Sequence, residues 1–225
     1  MTLDAALRAS EVLLALAFLQ SSAEHMFGPL RQKALMAPRC VGAGLLLVGV
    51  VPHLALLALV LHALVMLHRF DGPYNGGSDR MGLLVLFGLT LAAWVPAAAP
   101  FALGYVAVQL VLSYFISGKV KLQNPDWRSG TALRDVFAFS AYPVAENLRA
   151  LARHPQLLRA ASWAVIALEV FFPLALIHQG TLFAALIVTM LFHIANACLF
   201  GLNRFVWAWA AAYPSLIWLQ GAAFG

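Results

Sequence analysis

Long apolar runs fill most of this chain, and they constrain its fold more than any other feature. Of the 225 residues, 63% are hydrophobic and only 10% are charged. Apolar runs of about 18 residues or more are typical of membrane-spanning helices, because lipid offers no partner to an unpaired backbone amide or carbonyl. The runs are continuous rather than alternating, which favours helices over strands. The sequence therefore predicts an all-α integral membrane protein, a polytopic helical bundle without a soluble domain.

Seven spans are predicted within a single domain that covers residues 1–225. The predicted spans cover residues 9–27, 41–67, 81–97, 101–122, 157–177, 181–200 and 203–222. Residues 131–154 mix apolar side chains with arginines, which is typical of amphipathic helices lying in the membrane interface. Pro143 is expected to break this segment, because proline cannot continue a helical hydrogen-bond ladder.

The basic residues are divided unequally between the two sides of such a bundle. The side that holds the N-terminus and the loops after spans two, four and six carries 11 of the 14 lysines and arginines. The positive-inside rule places this side in the cytoplasm. The net charge of +5 is therefore interpreted as membrane topology and not as nucleic-acid binding. We expect a protein of the bacterial inner membrane that contacts lipids.

A glutamate in the fifth span needs a reason to be there, since a charge at mid-bilayer costs at least about 2.5–3.5 kcal/mol. Glu169 lies within "WAVIALEVFFPLAL", and Pro173 four residues later deprives its carbonyl of the helical N–H donor. Glu169 is either paired with a neighbouring cation in a kinked helix or a buried acid at a functional site. Both interpretations stay open.

Two stripes of polar side chains run along predicted spans. In the first span, Gln20 and Glu24 share a face, as do Ser21 and His25. In the sixth span, helical periodicity of about 100° per residue puts one group on a single face: His193, Asn196, Phe200 and Arg204. Such side chains are expected to form hydrogen bonds with other helices, and His193 is either structural or catalytic.

Two lysines stand at the end of the fourth span, in "YFISGKVKLQNPDWRSG" (residues 114–130). Lys119 and Lys121 are two residues apart, so roughly 200° of helix separates them. One amine can face the bundle while the other extends to the lipid head groups. Either both lysines are membrane-end anchors, or one is a desolvated amine that acts as a general base.

This segment resembles part of the vitamin K-dependent gamma-carboxylases, a family whose membrane part is the horizontally transferred transmembrane (HTTM) domain. The matching residues are Tyr114, Phe115, Ile116, Gly118, Lys121, Leu122, Trp127 and Gly130. A second segment, "FHIANACLFGLNRF", is similar to another motif of that family. Its matching residues are Phe192, His193, Asn196, Leu199, Phe200 and Phe205, with Leu202 in place of an isoleucine.

The resemblance implies a chemistry for this chain. Lys121 occupies the position of the catalytic lysine, which in the family deprotonates a reduced quinone of the vitamin K type. Reaction with oxygen then yields a base strong enough to remove a γ-proton from a glutamate, and the carbanion captures carbon dioxide. His193 and Asn196 would support the site, with Lys119, Glu169, Trp127 and Arg204 as further binding or supporting residues.

The chain departs from the family pattern in two places. Tyr74, Asn75 and Ser78 fit a third family segment loosely, but Gly77 stands where the family has a histidine. The family enzymes also carry a large soluble region that grips a peptide substrate, and this sequence has no counterpart to it. The fold and the lysine are therefore expected to transfer from the family, whereas carboxylation of peptide glutamate is not.

Three functional hypotheses follow. The first is a small membrane enzyme that uses a quinol-type lipid cofactor, with Lys121 as base. The second is a non-catalytic membrane subunit of a larger assembly, respiratory or photosynthetic. The third is a haem or quinone redox carrier, since the spacing of the histidines allows a haem to be held by histidines from two helices. His53 and His62, nine residues apart in one predicted span, lie on opposite faces and cannot jointly ligate one metal. Neither a zinc site nor a disulfide framework is expected, because Cys40 and Cys198 lack CxxC spacing.

Overall fold

The computed structural model describes residues 1–69, 77–139 and 146–224. Within these ranges all regular structure is helical, which confirms the all-α prediction. The α-helices are α1 (Leu3–Met26), α2 (Leu30–Val48), α3 (Pro52–Arg69), α4 (Gly77–Trp94), α5 (Ala99–Gln123), α6 (Pro125–Ser129), α7 (Thr131–Phe139), α8 (Pro155–Phe171), α9 (Gln179–Phe200) and α10 (Asn203–Phe224). Short 3-10 helices cover Pro96–Ala98, Glu146–Arg153 and Phe172–Ile177.

Three helical segments in the described ranges are long and apolar enough to cross a membrane. They are Pro96–Gln123, Pro155–Ile177 and Gln179–Phe200, and a shorter apolar helix covers Pro52–His68. Lengths of 22 to 28 residues suffice, because about 20 helical residues span the hydrocarbon core. These segments correspond to the fourth, fifth and sixth predicted spans. That the other four also cross remains a prediction.

The predicted second span, residues 41–67, is wrong as a single helix. The chain instead forms α2 and α3, separated at Gly49. Gly49 adopts a left-handed conformation with φ of 76°, and the amides of Gly49 and Val50 donate to carbonyls of the last turn of α2. This arrangement ends a helix, and Pro52 then begins the next one, because its missing N–H is not needed in a first turn.

Two compact units make up the chain, and the first consists of Met1–Val108 with Arg204–Gly225. In it α1 packs against α2 and α4, while α3 contacts both α2 and α4. Its fully buried side chains include Leu14, Leu46 and Leu216. Arg8 on α1 donates hydrogen bonds to the carbonyls of Leu46 and Leu47, 2.8 and 2.6 Å away. It thereby adds a donor at the end of α2, where the last carbonyls lack an intrahelical partner.

The second unit is Gln109–Asn203, and it contains the end of α5 together with α6 to α9. α6 and α7 both pack against α8. The predicted interfacial segment, residues 131–154, forms α7 and the 3-10 helix Glu146–Arg153. The break expected at Pro143 lies outside the described residues, as do Tyr74 and Asn75.

Candidate functional site

Lys121 and Glu169, two charged residues that the sequence singled out separately, form an ion pair in the second unit. The Nζ atom of Lys121 lies 2.6 Å from Oε2 of Glu169. The Lys121 side chain is 16% exposed and that of Glu169 is 5% exposed. The neighbouring cation expected for Glu169 is thus the same lysine that the family resemblance marks as a base.

Ser117 and Gly118, one turn before Lys121, allow this pair to form. Ser117 Oγ accepts a hydrogen bond of 2.6 Å from Lys121 Nζ and donates one of 3.4 Å to Glu169 Oε1. A Cβ atom on Gly118 would lie 2.6 Å from the backbone nitrogen of Val170 and 2.8 Å from Cβ of Glu169. Only glycine permits α5 and α8 to approach this closely.

The ring of Trp127 covers the other side of the lysine. The Nζ atom of Lys121 lies 5.2 Å from the centroid of this ring, within the range of a cation–π interaction. Trp127 lies in α6, which begins because the Asn124 side chain accepts a hydrogen bond from the amide of Asp126, at 2.8 Å. Ser162 on α8 donates a hydrogen bond to the Trp127 carbonyl. The Pro-Asp-Trp turn therefore positions an aromatic wall beside the amine.

Tyr114, two turns before Lys121 on the same face of α5, forms a second buried cluster with His193 of α9. The Nε2 atom of His193 lies 2.8 Å from the hydroxyl oxygen of Tyr114, and both residues are only 3% exposed. The Tyr114 ring packs on Phe172 at 4.3 Å between centroids. Tyr114, Ser117 and Lys121 follow the i, i+3, i+7 spacing of one helical face. That spacing was visible in the sequence, but Tyr114 and Ser117 were not predicted as site residues.

The remaining predicted site residues are less closely connected. Lys119 is exposed, which suits an anchor. Asn196 is half-buried, and its side chain makes no hydrogen bond with the residues that the structure describes. The Nε2–H group of His62 donates a hydrogen bond to the Leu35 carbonyl, 2.9 Å away. In the described ranges no group of three His, Cys, Asp or Glu side chains could hold a metal ion, and Cys40 and Cys198 are free thiols.

The prediction that Arg204 continues the His193 stripe is wrong. α9 ends at Phe200 because Gly201 takes the left-handed conformation with φ of 70°, and α10 starts at Asn203. Arg204 belongs to the first unit, where its Nε donates to Glu24 Oε2 at 2.9 Å. Its Nη2 lies 3.1 Å from His25 Nε2. Glu24 and His25, which belong to the polar faces predicted along the first span, therefore both contact the guanidinium of Arg204.

Gly77, which replaces the family histidine, begins α4 in the first unit. A Cβ atom at this position would lie 3.5 Å from the ring of Phe205 and 3.7 Å from that of Trp209. These are ordinary van der Waals distances, so two aromatic rings border this position.

The ion pair can hold and move a proton. A separation of 2.6 Å is that of a strong charge-assisted hydrogen bond, and the two groups together carry no net charge in the apolar segment. An amine that transfers its proton to the carboxylate becomes able to accept another. The Lys121 side chain is 16% exposed, so its amine is not fully enclosed.

Comparison with known proteins gives one match. A family model described as the HTTM domain matches residues 92–218, more than half of the chain. No curated protein and no solved structure matches the chain. The match contains both motifs and the Lys121–Glu169 pair. The apolar helices agree with an integral membrane protein, and the chain belongs to the HTTM-domain family.

Proposed function

We propose that this protein is a membrane enzyme that takes a proton from a reduced quinone or a similar phenolic lipid, with Lys121 as the base. The observation that carries the proposal is the 2.6 Å contact between Lys121 Nζ and Glu169 Oε2. Glu169 would accept the proton that the ammonium must lose before the amine can act. A general base has to be within hydrogen-bond reach of the proton it removes, and the partial exposure of Lys121 supports the access that this requires.

The residues around the amine suit a phenolic ring. Trp127 offers an aromatic face beside Nζ, and Ser117 holds the amine on its helix side. A bound reduced quinone would supply an acidic hydroxyl and a pair of transferable electrons. The chain would orient that hydroxyl towards Nζ and exclude water, which strengthens every electrostatic interaction at the site.

The test is the turnover of a reduced quinone with oxygen by purified wild-type protein and by Lys121→Gln. Loss of the amine should lower the rate roughly 100- to 10 000-fold, the usual contribution of a general base. Lys119→Gln is the matched control, because Lys119 is exposed and only two residues away. Equal rates in wild type and Lys121→Gln would refute the base.

A second candidate function is a non-catalytic membrane subunit of a larger assembly. The same ion pair favours it, because two buried charges that satisfy each other are also what a purely structural contact requires. Copurification in mild detergent tests this candidate. A defined partner chain, together with no quinol turnover by wild type, would favour it over the enzyme.

A further inference from the structure

An open groove lies in the first unit, bordered by α1, α2, α3 and α4. Most of its wall is apolar and includes Phe18, Leu59, Met66 and Leu83. Clefts with apolar walls and a few well-placed polar groups are typical sites for small molecules. The lining of this groove has that character.

Arg39 is the polar group that distinguishes this groove. Its guanidinium carbon lies 4.3 Å from the centroid of the Phe18 ring. Arg39 lies outside the three apolar candidate spans. Burial lowers the pKa of its guanidinium to about 10, and the negative charge of Asp79 partly opposes that shift. At neutral pH it therefore remains charged. Within the ranges that the structure describes, Arg39 makes no hydrogen bond or ion pair of its own.

Among the described residues that line the groove, the charges do not balance. Arg39 and Arg80 lie there with a single carboxylate, that of Asp79. Arg204 lines an adjoining small pocket with Arg39, but it already binds Glu24. Arg80 is exposed, and it makes no hydrogen bond with any described residue. An excess positive charge thus remains in a largely apolar groove, where an unpaired ion is costly.

We propose that this groove binds a single-chain amphiphile with an oxyanion head group, a carboxylate or a phosphate monoester. The fork of N–H donors on Arg39 matches both oxyanions in a bidentate geometry. Arg80 would supply a second cation at the rim, and the apolar wall would cover the chain. These residues take no part in the Lys121–Glu169 pair, so the inference stands independently of the proposed function.

The test uses purified protein in a neutral detergent, with dodecyl phosphate and oleate as probes. Binding is read from native mass spectra and from the shift of the unfolding midpoint. Dodecanol lacks the charge and inorganic phosphate lacks the chain, so neither should bind. Binding of oleate alone would identify a fatty-acid source and binding of dodecyl phosphate alone a lipid phosphate. Either result supports the shared chemistry.

Two variants make the result specific. Arg39→Gln should weaken binding roughly 10- to 100-fold, since charged hydrogen bonds are lost. Arg31→Gln, an exposed arginine on the same helix, should leave it unchanged. If Arg39→Gln does not fold, Arg80→Gln replaces it and should weaken binding several-fold. Equal affinity of wild type and variant, or dodecanol binding as tightly as dodecyl phosphate, would overturn the proposal.

Discussion

Lys121 and Glu169 are 48 residues apart in the chain, and their charged atoms lie 2.6 Å apart across α5 and α8. Each residue alone had an ordinary explanation, Lys121 as a membrane-end anchor and Glu169 as the partner of a neighbouring cation in a kinked helix. Together they form a buried, internally neutral pair at the end of an apolar segment. The pair therefore has two roles to be tested, one in the packing of α5 against α8 and one in the proposed chemistry.

Substitutions can separate the effect of the pair on stability from its effect on quinol turnover. Glu169→Ala should destabilise the protein by about 3–5 kcal/mol, because it leaves the lysine without its carboxylate in a largely buried place. The double variant Lys121→Met/Glu169→Leu should regain most of that stability and stay inactive. Thermal unfolding in detergent and quinol turnover measure the two effects. A stable double variant with wild-type turnover would show that the pair is only structural.

Gly118 should not tolerate a side chain. Gly118→Ala would place a methyl group 2.6–2.9 Å from the backbone and Cβ atoms of α8, and such overpacking costs about 1–3 kcal/mol. Gly104→Ala on the same helix is the control, because its Cβ would meet nothing nearer than 3.9 Å. The unfolding midpoint should fall for the first variant alone. Similar midpoints for both would mean that α5 and α8 are not in close contact at Gly118.

The hydrogen bond between Tyr114 and His193 should contribute to stability. Tyr114→Phe keeps the ring against Phe172 but removes the hydroxyl, and loss of a buried partner costs about 1–3 kcal/mol. Tyr105→Phe is the control, since Tyr105 is exposed and makes no hydrogen bond within the described ranges. Unfolding midpoints should differ between the two variants, and identical values would contradict a role for this bond.

The end of α9 depends on the backbone conformation of Gly201. Its φ is 70°, a region that costs an L-residue roughly 1–2 kcal/mol. Gly201→Ala and Gly221→Ala would each place a methyl group in open space, so the comparison isolates the backbone. Only Gly201→Ala should lower the unfolding midpoint. An equal response would mean that the turn before α10 does not require the left-handed residue.

The positions of the helices were largely predictable, because a long apolar run has few ways to satisfy its backbone in lipid. The predicted bounds already placed a break between residues 200 and 203, although the polar stripe was carried across it to Arg204. The break at Gly49 was not recognised, since it lies inside an apolar stretch and acts through backbone conformation. The face formed by Tyr114, Ser117 and Lys121 could have been found from its spacing. Its pairing with Glu169 could not, because spacing within one helix says nothing about which partner another helix brings.

Chemical rescue tests the role of Lys121 most directly. Lys121→Ala should lose quinol turnover while keeping a folded, monodisperse preparation. Small primary amines such as methylamine should then restore part of the rate, in proportion to their concentration. The same amines should leave the turnover rate of the wild type unchanged. If Lys121→Ala turns over reduced quinone at the wild-type rate, with or without added amine, Lys121 is not the base.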